Sequence, residues 1–143
     1  VEGKPLEVYN NGDMMRDFTY IDDVIKSLIK LIDKPATSDK SFDQINPNPS
    51  TSWCPHRVFN IGNSKPTSLM EYISEIENSL NIKAKINFLP MQMGDVKSTF
   101  ADTSLLEEWI NFKPETSITH KFKTTIKNIK GISIFVRKII IWG

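Results

Sequence analysis

The sequence predicts an α/β fold with some parallel strand pairing, on three observations. Short runs at residues 6–9 and 84–89 alternate their side chains like strands, helical periods over 22–33 and 68–80 lie between them, and turn formers separate the elements. With 143 residues, 39% of them hydrophobic and 24% charged, the chain is long enough for one domain with a core.

Each element follows from local chemistry. Leu6-Glu7-Val8-Tyr9 alternates, and Asn10-Asn11-Gly12-Asp13 after it tolerates positive φ, so a turn is expected at 10–13. Phe18-Thr19-Tyr20 is β-prone. Asp22 and Asp23 then precede Val24, Ile25, Leu28, Ile29, Leu31 and Ile32, whose spacing marks one apolar helical face that Lys34-Pro35 ends. Residues 35–56 hold four of the eight prolines and predict a long irregular loop, of a length that is often functional. Arg57-Val58-Phe59-Asn60-Ile61-Gly62 reads as a strand. Ser68-Leu69-Met70-Glu71 fits a capping box for a helix carrying Leu69, Ile73, Ile76 and Leu80 on one face. Ala84 to Leu89 is a further strand, and Asp102 stands where it can cap a short helix with Leu105, Leu106, Trp109 and Ile110 before Phe112-Lys113-Pro114.

Composition narrows the function. The single cysteine, Cys54, excludes an internal disulfide framework, and with His56 and His120 as the two histidines no zinc spacing can be assembled, so no metal is expected. No run approaches the roughly 20 apolar residues of a membrane span, and the start has no signal-peptide layout, so no membrane span and a cytoplasmic location are expected. Opening on Val1 without an initiator methionine fits a fragment or a trimmed chain as well as a mature protein. The 18 basic and 17 acidic side chains divide unevenly: 12 and 17 within 1–118, six and none within 119–143. The body lacks the broad basic face of a nucleic-acid surface, so no nucleic-acid partner is expected.

Two stretches could hold an anionic ligand. Arg16, between a polar turn and a short strand, can make paired hydrogen bonds to phosphate or carboxylate, or form an ion pair with Asp13 or Asp17. Asp95 follows Gly94 in the loop after a strand, where its two oxygens suit paired ribose hydroxyls or simply form a turn. Met91 and Met93 around Gln92 are either gap-filling core or a soft wall beside a base. The six glycines, at 3, 12, 62, 94, 131 and 143, lie too far apart for any dinucleotide or triphosphate loop. No nucleophile-and-base set has a recognisable local context, so no catalytic residue is assigned.

Taken in order, Gly12-Asp13-Met14-x-Arg16-Asp17-Phe18-Thr19-Tyr20-Ile21-Asp22-Asp23, Val58-Phe59-Asn60-Ile61-Gly62-Asn63, Phe88-Leu89-Pro90-Met91-Gln92-x-Gly94-Asp95-Val96, Ala101-Asp102 and Phe112-Lys113-Pro114 resemble the extended short-chain dehydrogenase/reductases that act on nucleotide sugars. The resemblance runs over residues 1–118 and is to the C-terminal, substrate-binding half of a Rossmann-type fold, lacking the N-terminal cofactor-binding half. Within the group, the loop 46–52 and Leu89-Pro90-Met91-Gln92 resemble the UDP-glucuronate 4-epimerases of bacterial capsule and polysaccharide biosynthesis.

That resemblance implies roles. Arg16 would hold the pyrophosphate of a UDP-sugar, Tyr9 would lie against the uracil, and Asp95 would accept from the ribose hydroxyls. Gln92 stands where galactose-type relatives have an arginine, making one phosphate contact neutral. It also implies NAD as cofactor, bound by the missing half, with hydride removed from and returned to C4 of the sugar, and a homodimer formed through that half. The general base of the family is the tyrosine of Tyr-x-x-x-Lys, and here Tyr9, Tyr20 and Tyr72 are followed four residues on by Asp13, Val24 and Ile76. The chain alone is therefore expected to be inactive. A decarboxylase or dehydratase half, or a non-catalytic sugar-nucleotide binding module, is the alternative. The strand 57–62 resembles one completing the cofactor-domain sheet, so its exposed edge predicts marginal stability or association. Residues 119–143 depart from the family as a basic tail, through a shifted reading frame, as a membrane-surface helix, or as a divergent docking helix.

Overall fold

The computed structural model describes residues 4–129, so most of the divergent end, residues 130–143, lies outside the described residues. Two compact units are present. Among the described residues one comprises 4–18, 65–100 and 116–129, the other 19–64 and 101–115.

The first unit begins with β1 (Leu6–Val8), which pairs in parallel with β4 (Ile86–Phe88) in the register Leu6 to Ile86 and Val8 to Phe88. A 3₁₀ turn, Tyr9–Gly12, follows, with Asn10, Asn11 and Gly12 all at positive φ, as the asparagine and glycine composition predicts. β2 (Met15–Arg16) runs antiparallel to β3 (Thr67–Ser68), which leads into α2 (Leu69–Leu80). α4 (Ile118–Ile129) packs on α2. Val8, Met14 and Ile73 are buried here, and the Tyr72 ring stacks on Phe18 at 3.7 Å between centroids and meets Phe122 edge-on at 4.9 Å. Burial of that ring pushes the Tyr72 phenol pKa up.

The second unit packs α1 (Ile21–Ile32) on α3 (Ser104–Ile110), with Leu106, Ile110 and Pro114 buried. Residues 35–56 form no helix or ladder, in keeping with their prolines.

Four expectations are corrected. Phe18-Thr19-Tyr20 is not a strand: the ladder lies at Met15–Arg16, because the partners Thr67 and Ser68 stand opposite those residues and Phe18 is taken up by the Tyr72 stack. The segment 57–62 forms only an isolated antiparallel bridge between Thr51 and Arg57, since no strand lies beside it in its unit to supply a ladder. Ser68 occupies the N-cap of α2 but makes no side-chain capping bond. Thr103 rather than Asp102 is the N-cap of α3, although Asp102 Oδ1 still accepts the Ser104 amide at 3.0 Å.

Candidate functional site

Arg16 is fixed by backbone pairing on both sides. β3 lies along one edge of β2, and on the other the Met15 amide donates to Lys97 O at 2.9 Å while the Thr99 amide donates to Met15 O at 3.1 Å. This brings the loop after β4 beside the arginine. The turn in that loop is closed by the Asp95 amide on Gln92 O at 3.3 Å, across Gly94 at φ 84°.

The result is an ion pair between the two segments singled out in the sequence. Arg16 Nη2 donates to Asp95 Oδ1 at 2.8 Å, with the two side chains 12% and 32% exposed. Nη1 donates to Met15 O at 2.9 Å and Lys97 O at 3.3 Å, which orients the guanidinium plane. Asp95 Oδ1 also accepts the Val96 amide at 2.7 Å, so both of its bonds converge on one oxygen. Asp13 and Asp17, the sequence neighbours, do not pair with Arg16: Asp13 instead binds Lys97 at 2.6 Å, and Asp17 Oδ1 faces the Lys65 amide.

Tyr9 is the first residue of the 3₁₀ turn, one position beyond β1. Its hydroxyl donates to Glu7 Oε2 at 3.1 Å. That bond raises the phenol pKa above 10.0, aided by slight burial and the Glu7 charge, while Gln92 lies close enough to oppose the shift. The parallel β1–β4 pairing, extended by the Asn11 amide on Leu89 O at 3.1 Å, sets residues 9–16 against 89–99. Tyr9, Arg16, Gln92 and Asp95 thus share one unit. Met91 and Met93 are both exposed, Met93 completely, which removes their gap-filling reading. Lys97 and Glu7 were missed by sequence reasoning. Lys97 is the lone cation of the loop 90–98, two residues after Asp95, and that was its available signal.

A pocket of about 380 Å³ lies in the other unit, lined chiefly by Asp39, Ser50, Thr51, Arg57, Glu108 and Trp109. Tyr9, Arg16, Gln92 and Asp95 are not among its lining residues. Ser41 bonds hold the Asp39 carboxyl below its ordinary range, with lesser contributions from Thr51 and Arg57. Among the described residues no group of three His, Cys, Asp or Glu side chains could hold a metal, and no helix is long and apolar enough to cross a membrane.

Residues 1–62 match the model of the NAD dependent epimerase/dehydratase family. The chain belongs to that family. Protein CapI of Staphylococcus aureus is 44% identical over 118 residues, which are 82% of this chain and 35% of CapI. A probable UDP-glucuronate 4-epimerase of Rhizobium meliloti is 38% identical over 120 residues, 81% of this chain and 34% of that protein. Among solved structures, the UDP-glucuronic acid 4-epimerase of Bacillus cereus in complex with UDP-glucuronic acid and NAD superimposes with a TM-score of 0.68 at 28% identity, over 91% of this chain and 36% of that one. This epimerase-family chain therefore spans much less than half of each relative, within a Rossmann-type α/β fold.

NAD is the cofactor of the family, and the described residues do not fit it. α1, α2 and α3 open on Tyr20, Ser68 and Thr103, and neither positive-φ glycine, Gly12 or Gly94, leads directly into a helix, so the N-termini of these three helices lack the glycine turn that lets a backbone approach a dinucleotide pyrophosphate closely.

Proposed function

We propose that this chain is the UDP-sugar binding part of an NAD-dependent UDP-glucuronate 4-epimerase, and that alone it is inactive. The observation carrying this reading is the Arg16–Asp95 contact, which sets a phosphate-binding cation beside an acceptor suited to a diol. A pyrophosphate approaches the guanidinium from the side away from Asp95. The ribose hydroxyls donate to Asp95 Oδ2, which carries no hydrogen bond among the described residues. Gln92 contributes a neutral amide, and the half-buried Tyr9 ring offers a face to the base.

Charge balance limits what these groups achieve by themselves. Arg16 is already offset by Asp95, and Lys97 by Asp13, so a dianionic ligand meets little net positive charge. Positioning, rather than field strength, is the contribution of this chain. Hydride chemistry at the sugar is assigned to the rest of the enzyme.

Isothermal titration of the folded chain with UDP tests the reading. Binding that weakens about tenfold with Arg16→Ala and with Asp95→Ala is expected, because each removes a charged hydrogen-bond partner. Absence of UDP binding in a sample folded by circular dichroism overturns it, as does turnover of UDP-glucuronate by the chain alone.

A further inference from the structure

The hollow of the second unit, about 380 Å³, has two kinds of wall. Val58, Phe59 and Leu105 supply apolar surface, while Asp39, Arg57 and Glu108 bring two carboxylates and one guanidinium. It forms where the antiparallel bridge between Thr51 and Arg57 holds the loop 35–56 against the run that follows. The Val58 amide on Ser50 O at 3.1 Å extends that contact.

Two polar atoms of the wall have no hydrogen-bond partner. Thr51 is 9% exposed and its Oγ1 is buried and unbonded, and Arg57 Nε is buried in the same condition. Arg57 also forms no ion pair with either carboxylate; its guanidinium lies instead over the Trp109 ring at 4.9 Å, and Lys34 lies 5.1 Å from the same ring. Buried polar atoms are almost always bonded, so two orphans in the wall of one cavity mark a place for an acceptor.

The carboxylates are not equally engaged. Asp39 Oδ1 accepts the Ser41 amide at 2.9 Å and the Ser41 hydroxyl at 2.6 Å. Glu108, at an exposed position of α3, makes no side-chain hydrogen bond or ion pair among the described residues. Charge then selects the ligand. A plain anion would satisfy Arg57 Nε but meet two carboxylates, and a plain cation would leave the buried donor unmet. A zwitterion answers both demands, and the apolar walls take an apolar side chain rather than a further charge. Trp109, engaged by two cations, supports the guanidinium rather than offering a stacking face.

We propose that this hollow binds a free α-amino acid with an apolar side chain, its carboxylate on Arg57 Nε and Thr51 Oγ1 and its ammonium on Glu108 and Asp39. The proposal shares no residue with the UDP reading, so a failure of UDP binding leaves it standing.

Titration of the 143-residue chain with L-leucine tests it, read in the side-chain N–H signals of its three arginines, Arg16, Arg57 and Arg137, by heteronuclear NMR. The Arg57 Nε–H signal is expected to shift and to saturate with a Kd on the order of 1 mM. Isocaproate, which lacks the ammonium, and isoamylamine, which lacks the carboxylate, should each bind about tenfold more weakly. Glu108→Gln, at an exposed helix position where the fold does not depend on the charge, should weaken L-leucine about fivefold. No saturable shift at Arg57 by about 20 mM L-leucine, or a shift confined to Arg16, overturns the proposal. So does either analogue binding as tightly as L-leucine, or unchanged affinity in Glu108→Gln.

Discussion

Arg16 and Asp95, 79 residues apart in sequence, are joined by a single charge-assisted hydrogen bond of 2.8 Å. Three further bonds, from Nη1 to two carbonyls and from the Val96 amide to the carboxylate, hold the pair in place. Because Arg16 is largely buried, removal of either partner leaves a charge poorly compensated. Asp95→Ala and Arg16→Ala are each expected to lower stability by about 1–2 kcal/mol, and the double variant by less than the sum. Urea denaturation of the four proteins measures the coupling.

Gly12 sits at φ 82°, and a Cβ there meets Met70 Sδ at 2.7 Å. The thioether can move, but the backbone cannot leave the left-handed region without opening the turn. Gly12→Ala is expected to cost about 1–2 kcal/mol, the penalty of left-handed backbone for a side-chain-bearing residue. Met70→Ala in the same protein relieves the contact and should recover less than half of the loss in thermal denaturation.

Acid should destabilise the chain through three carboxylates. Glu77 is held below its ordinary 4.5 by Lys83 and the Ala84 amide, Asp39 below 3.8 by Ser41, and Asp102 below 3.8 by the Ser104 amide. Below those ordinary values the unfolded chain binds protons that the folded chain does not, so their contribution is present above them and fades as pH falls through the lowered folded values. The urea midpoint should drop between about pH 5 and pH 3, and Glu77→Gln should flatten part of that slope.

Tyr9 titrates above 10.0 chiefly because its hydroxyl donates to Glu7, a bond that ionisation would break. Glu7→Gln is expected to lower that pKa toward the ordinary value, observed as earlier tyrosinate absorbance in the difference between variant and parent. An unchanged titration would show that the 3.1 Å bond does not persist in solution.

Local signals carried most elements. Asn10-Asn11-Gly12 reads as a left-handed turn because few other residues tolerate those angles, and α1 and α2 fall within one residue of their expected bounds. Long-range choices were not legible. Periodicity located the apolar stripe of α1 but not the side on which its unit lies, and β propensity placed strands at Phe18–Tyr20 and 57–62, where ladder partners are lacking. Arg16 and Asp95 were each singled out in the sequence as candidate ligand groups, and the structure joins them in an ion pair. Their contact depends on the register of β1 with β4, which no local spacing encodes.

That register also dictates when the site can exist. The first unit interleaves the start of the chain with residues 65–100, so a nascent chain emerging from the ribosome carries Arg16 long before Asp95 is synthesised. Closing so wide a loop has an entropic cost that only the completed β1–β4 ladder and the segment 97–99 can offset. The Arg16–Asp95 pair therefore forms late in the assembly of the unit. A chain stopped before residue 97 would keep the arginine and lose the geometry that directs it.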